Sequence, residues 1–198
     1  KAAMPVISVT LLPGYSRQAE ERLVGRVAQA ARSVIAASAA GTTVFVQHAN
    51  TYQRDGKVFA AGGAERPDAG ALVRTFLDRM QARDLEAARV FLAPDFCMHF
   101  PGSGPMHRLE DLVAWGRQRY RSVGKIFESV DECWTDQGAI VYCAGTLHGV
   151  WLDGSAFEGV RFLDRFDIRD GLIVRQDVWN DLALVMPAPA AAASSAAA

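Results

Sequence analysis

The feature that most limits how this chain can fold is a run of four segments with period-two hydrophobicity. They lie around Ile126–Trp134, Ala139–Leu152, Ser155–Ile168 and Leu172–Asp181. Asp136-Gln137-Gly138, Asp153-Gly154 and Arg169-Asp170-Gly171 separate them. Asp and Gly in short connections favour the tight turns of β-hairpins. The pattern predicts an antiparallel meander. Ahead of it the period is that of a helix. Leu72, Phe76, Leu77 and Met80 share one face of a segment over 71–83. Asp84 is placed to cap a second short helix running to Leu92, and Ala93-Pro94 ends it. A short strand over 95–100, a Gly/Pro loop and a third helix over 107–121 follow. Helices first and an antiparallel meander after them make an α+β pattern.

The segment before this block is different. Ala60 to Gly70 is small, Gly-rich and Pro-punctuated, and reads as a linker. It sets residues 5–59 apart from residues 71–186, and leaves 187–198 as an Ala-rich tail expected to be disordered. Pro5 to Leu12 reads as a strand, Pro13-Gly14 breaks it, and Ser16 is a plausible N-cap. Leu23, Val27, Ala31 and Val34 then recur at helical spacing, and Thr42 to His48 reads as a second strand. Strand, helix, strand predicts a parallel pair with a right-handed crossover. Two strands and a helix cannot bury both faces of a sheet, so this βαβ piece is expected to oligomerise or dock elsewhere.

Two resemblances attach to these segments. Met4-Pro5-Val6-Ile7-Ser8-Val9 with Leu11-Leu12-Pro13-Gly14-Tyr15-Ser16, and Phe59 near the end, resemble the 4-oxalocrotonate tautomerase family over about 5–63. The resemblance implies a catalytic amine at Pro5, available only if Pro5 is the N-terminal residue. The arginines that family uses for substrate carboxylates have no counterpart at Tyr15 or at Thr43, Val44 and Phe45. Phe91-Leu92-Ala93-Pro94-Asp95-Phe96 with His99, Leu163 through Ile173, and Gln176 through Asp181 resemble the SnoaL-like branch of the nuclear transport factor 2-like superfamily over about 70–186. This resemblance implies a cystatin-like α+β cone with a curved antiparallel sheet around a pocket. The expectation is a fusion of the two.

Fold leaves the chemistry open, so the site must be argued from residues. Asp177 matches the acid/base aspartate of SnoaL-like cyclases and epoxide hydrolases. In an apolar cone its pKa would rise toward a range useful for proton transfer. Pairing with Arg161, Arg165 or Arg175 is the structural alternative. Alternation puts His99 with Cys97, opposite Phe96, Met98 and Phe100. Tyr142, Thr146 and His148 share a face by the same parity. Trp134, Trp151, Trp179 and Tyr120 are candidate pocket walls for an apolar or polyketide-like compound, with Arg161 as a candidate binding residue. Arg117, Arg119 and Arg121 read as a solvated helix face. The expected activity is acid/base chemistry of isomerase, cyclase or hydrolase type. The alternative is a non-catalytic ligand-binding or assembly protein.

Charge narrows the remaining classes. With 21 basic and 22 acidic residues the net charge is −1, which argues against a nucleic-acid binder. No apolar run approaches the ~20 residues of a membrane span. Three cysteines without a CxxC pair suit a reducing, cytoplasmic setting. No metal-ligand or cofactor motif is present, so no cofactor is expected.

Overall fold

A computed structural model describes residues 4–60 and 65–187. The chain divides into two compact units between Arg66 and Pro67. The expectations for residues 1–3 and for the tail over 188–198 lie outside the described residues, as does the centre of the expected linker, 61–64.

In the first unit, β1 (Val6–Leu11) and β2 (Thr43–His48) pair in parallel on either side of α1 (Arg17–Val34) in the sequence. The Ser16 hydroxyl caps α1 by accepting from the Ala19 amide at 3.2 Å, satisfying one of the orphan donors of the first turn. A hairpin of β3 (Thr51–Arg54) and β4 (Lys57–Ala60) follows. Asp55 and Gly56 turn it with φ of 51° and 75°, the left-handed pair of a tight hairpin turn. Ala60 therefore ends a strand rather than opening a linker.

The second unit opens with α2 (Ala69–Gln81) and α3 (Leu85–Arg89). Asp68 and Asp84 cap them, accepting from Ala71 at 3.0 Å and Ala87 at 3.1 Å. Next come β5 (Leu92–His99), α4 (Leu109–Arg117), β6 (Tyr120–Thr135), β7 (Gly138–Trp151), β8 (Ala156–Arg169), β9 (Leu172–Asn180) and α5 (Leu182–Val185). The sheet order is β5-β9-β8-β7-β6. All neighbours run antiparallel except β5 and β9. Pro94 sits in β5, which is an edge strand and so tolerates the missing donor. The register shifts between Tyr120 and Ser122, between Phe127 and Ser129, and between Leu147 and Gly149. Such bulges bend a strand and increase its twist, which suits a sheet wrapped around one face.

Two boundaries differ from expectation. The helix expected to reach Arg121 ends at Arg117, and β6 begins at Tyr120 rather than near Ile126. Val123, Lys125 and Phe127 alternate inward from that earlier start, so Tyr120 belongs to the strand. The second helix stops at Arg89, not Leu92. The core lies between the sheet and α2 to α4. Val73, Phe76, Met98, Leu109, Val141, Phe166 and Ile173 have essentially no exposed surface. Phe76 meets Phe166 edge-on with centroids 6.1 Å apart. Among the described residues no helix is long and apolar enough to cross a membrane.

Candidate functional site

Sheet alternation decides which side chains reach the inside of the second unit. On β8, Phe162, Asp164, Phe166 and Ile168 point inward and are buried. On β7 the inward row is Val141, Cys143, Gly145 and Leu147. On β9, Gln176 and Val178 face the interior. Together with α2, α4 and the start of β6 they enclose a cavity of about 400 Å³, within the range that holds small organic ligands. Its apolar walls include Phe76, Phe100, Trp115, Phe127, Leu147 and Phe162. Phe127 and Phe162 meet edge-on at 5.8 Å, and Phe100 tilts against Trp115 at 5.5 Å.

One carboxylate enters that cavity. Asp164 has no exposed surface and sits between Cys143 and Val178 in the sheet register. Lys125 reaches it from β6 and forms an ion pair with Oδ2. Between their two strands, the inward row of β7 runs from Cys143, opposite Asp164, through Gly145 to Leu147, opposite Lys125. The Lys125 ammonium also lies 4.6 Å from the centre of the Phe162 ring. Gln176 approaches the carboxyl closely enough to favour its charged form. Oδ1 nevertheless has no hydrogen-bond partner among the described residues. Burial pushes the Asp164 pKa up, and the charge and hydrogen bond of Lys125 oppose that rise without cancelling it. The neighbouring Cys143 thiol is pushed up to about 12 by burial and by the nearby Asp164 charge.

Asp177 occupies the other face of β9, and this corrects its expected place in the cone. It is not among the residues lining the cavity. Arg175 Nε donates to its Oδ2 at 2.7 Å, Arg165 lies 3.5 Å from the same oxygen, and His99 Nδ1 is 3.2 Å from Oδ1. Burial would raise its pKa, but Arg175 first, then His99 and Arg165, outweigh burial and hold it below the usual carboxylate range. The expected direction is reversed because one residue of parity moves a side chain from an apolar cavity to a row of cations. His99 shares that outer face, as its alternation with Met98 requires.

The other expected site residues scatter. Only Tyr120 lines the cavity. Tyr142 is outward and interacts with Arg165. His148 is exposed and lies over Gly124, where an added Cβ would fall 2.6 Å from the imidazole. Trp134 and Trp179 are 37% and 52% exposed. Trp151 is buried against Phe157, with centroids 4.4 Å apart, outside the cavity lining. Arg161 is exposed and pairs with Asp181 at 2.7 Å. Pro5 precedes β1, follows Met4, and its carbonyl accepts from the Thr43 amide at 3.0 Å. Among the described residues no cluster of His, Cys, Asp or Glu could hold a metal ion.

Asp164 and Lys125 carried a legible signal. In β8 an aspartate interrupts an apolar row, Phe162-x-Asp164-x-Phe166-x-Ile168, and in β6 a lysine stands between Val123 and Phe127. A charge on the buried parity of a strand needs a partner. The pairing itself was not legible, because it spans an intervening strand.

Residues 73–176 match the SnoaL-like domain family, more than half of the 198-residue chain. No curated protein matches the chain. Among solved structures, TerC co-crystallised with polyporic acid aligns with a TM-score of 0.50 and 16% identity, over 58% of this chain and 92% of that one. A nuclear transport factor 2-like protein of unknown function from Burkholderia pseudomallei K96243 aligns at 0.49 and 18%, over 58% and 92%. A polyketide-cyclase candidate from Xanthomonas campestris pv. campestris aligns at 0.48 and 19%, over 59% and 92%.

Proposed function

The chain belongs to the SnoaL-like domain family, and from that premise we propose that its second unit is an acid/base enzyme for a small organic compound, of isomerase, cyclase or hydrolase type. Asp164 moves the proton. The observation that carries this is the buried Asp164 carboxyl in the cavity lining, with Oδ1 unpartnered and its pKa raised. A carboxyl held above its ordinary range takes and returns protons closer to neutral pH. Lys125 on Oδ2 orients the group and leaves Oδ1 as the atom that receives a proton from the ligand. Asp164 is fully buried against apolar neighbours, and a low local dielectric strengthens both interactions.

The test is proton exchange. Deuterium uptake at carbon α to a carbonyl is followed by NMR over a panel of apolar cyclic ketones and β-dicarbonyl compounds. The native protein accelerates uptake, and Asp164→Asn loses about 10²–10⁴ of that rate. Equal rates in the native protein and Asp164→Asn would refute the assignment. The second reading, non-catalytic ligand binding, draws on the Lys125 pair, which favours a permanently charged carboxyl. Absence of acceleration for every compound, with retained binding, selects it.

For the first unit we propose a tautomerase-like module. The parallel β1/β2 pair with α1 between them in sequence supports it. Amine chemistry there requires Pro5 to be the first residue, which mass spectrometry of the natural protein decides. Self-association through this unit is also proposed, supported by Val6 and Phe45, 67% and 53% exposed. Sedimentation of the full chain tests it.

A further inference from the structure

The cavity is basic where the chain as a whole is not. Three arginines line it, Arg83, Arg117 and Arg121. The only acidic group among its lining residues, Asp164, is already paired with Lys125. The net charge of the whole chain is −1, so this excess is local. Arg83 follows the end of α2, and Arg117 and Arg121 flank the α4–β6 junction, all three exposed at the cavity's rim. Tyr120 marks that junction. Burial raises the pKa of its hydroxyl, and the charges of Arg83 and Arg119 oppose the rise, so both guanidinium groups are within electrostatic reach of a residue that lines the cavity.

Two arginines at this junction are held in place. Arg121 donates from Nε and Nη2 to the Leu152 carbonyl at 3.0 and 2.8 Å. Arg119 stacks on Trp115 with its guanidinium carbon 4.1 Å from the ring centre, and Trp115 is itself a cavity wall. Arg83 occupies a costlier position. It follows the C-cap of α2, with φ of 60°. The Asp84 amide donates to Arg79 O at 3.0 Å and the Arg83 amide to Met80 O at 3.2 Å. This is the helix-ending motif whose left-handed residue is ordinarily glycine. An arginine there sacrifices backbone stability, and strained residues of this kind gather at ligand sites.

We propose that the cavity takes an amphipathic organic acid. Its flat apolar body packs against Phe100, Trp115, Phe127 and Phe162, and its anionic group is held by Arg83, Arg117 and Arg121. The forked guanidinium suits a planar oxyanion. The apolar body then extends toward Asp164 and Lys125. The proposal rests on the same cavity being the ligand site, and it narrows the ligand to one bearing a permanent negative charge. Arg117 and Arg121 are exposed, as expected, and also line the cavity.

Two probes that share one ring system separate charge from apolar fit. They are 8-anilinonaphthalene-1-sulfonate and the uncharged N-phenyl-1-naphthylamine, titrated by fluorescence into the full chain. Val123→Trp, which fills the cavity from β6, supplies the background from other apolar surface. The readout is the affinity ratio of sulfonate to neutral probe. The expected result is a fall of about tenfold in that ratio for Arg83→Gly/Arg117→Gln, the size of one or two lost charge-assisted hydrogen bonds. In the native protein the ratio also falls with added salt, and in the double variant it does not. Arg83→Gly alone melts no lower than the native protein, because glycine relieves the left-handed backbone, so misfolding does not mimic the effect. An unchanged ratio in the double variant overturns the anion class while leaving proton transfer at Asp164 to its own test. Binding of both probes unaffected by Val123→Trp overturns the cavity as the ligand site, and both proposals fall together.

Discussion

Lys125→Met leaves the Asp164 carboxyl buried without its counter-charge. Asp164 has no exposed surface, and its Oδ1 is already unpartnered. Removing one partner of a buried pair costs about 3–5 kcal/mol. Asp164→Asn is milder. The Lys125 side chain is 21% exposed and can turn toward water, so its isolation costs about 1–3 kcal/mol. Lys125→Met/Asp164→Asn removes both charges at similar volume and should stand within about 1–2 kcal/mol of the native protein. The single losses therefore exceed the double loss by about 2 kcal/mol or more. The cost of Lys125→Met also depends on pH. An acid whose folded pKa lies above its unfolded value, about 3.9, binds its proton more tightly when folded. Stability is then greatest at low pH and declines as pH rises from the unfolded toward the folded value. Lys125→Met raises that folded value further, so its penalty is smaller at pH 5 than at pH 8. Urea denaturation of the four proteins at both pH values measures each quantity. Additive single losses, or a Lys125→Met penalty equal at pH 5 and pH 8, would refute the pairing.

Two further outcomes follow from other sites. Asp177 has a folded pKa held down chiefly by Arg175 against the opposing effect of burial. Its contribution is present above the unfolded value of about 3.9 and disappears as pH falls through the folded one. Because Arg175 is half exposed, Asp177→Asn should cost about 1 kcal/mol or less at pH 7 and less still at pH 2. A larger loss at low pH than at neutral pH in chemical denaturation contradicts this. Cys143 is buried with a thiol pushed up to about 12, whereas Cys133 is exposed. Iodoacetamide at pH 8 should label Cys133 in the native protein and Cys143 only after unfolding, as peptide mass spectrometry reads. Native labelling of Cys143 ahead of Cys133 would place that strand face in solvent.

Local pattern was enough to read most of the second unit. Alternation and Asp/Gly turns place β7, β8 and β9, and Asp84 starts α3 because a short carboxylate satisfies the first free amides. The same alternation correctly sets Cys97 and His99 opposite Phe96 and Met98. It could not say which face of β9 lines the cavity. Asp177 and Gln176 are neighbours in sequence, yet one meets Arg175 and His99 while the other lies beside Asp164. That choice belongs to the sheet as a whole, where burial of Phe162 and Phe166 on β8 determines which row of β9 turns inward. The arginines show the same limit. Arg83 and Arg121 are 38 positions apart in sequence. Only the tertiary fold puts both in the lining of one cavity, because electrostatic attraction follows distance in space and not order along the chain.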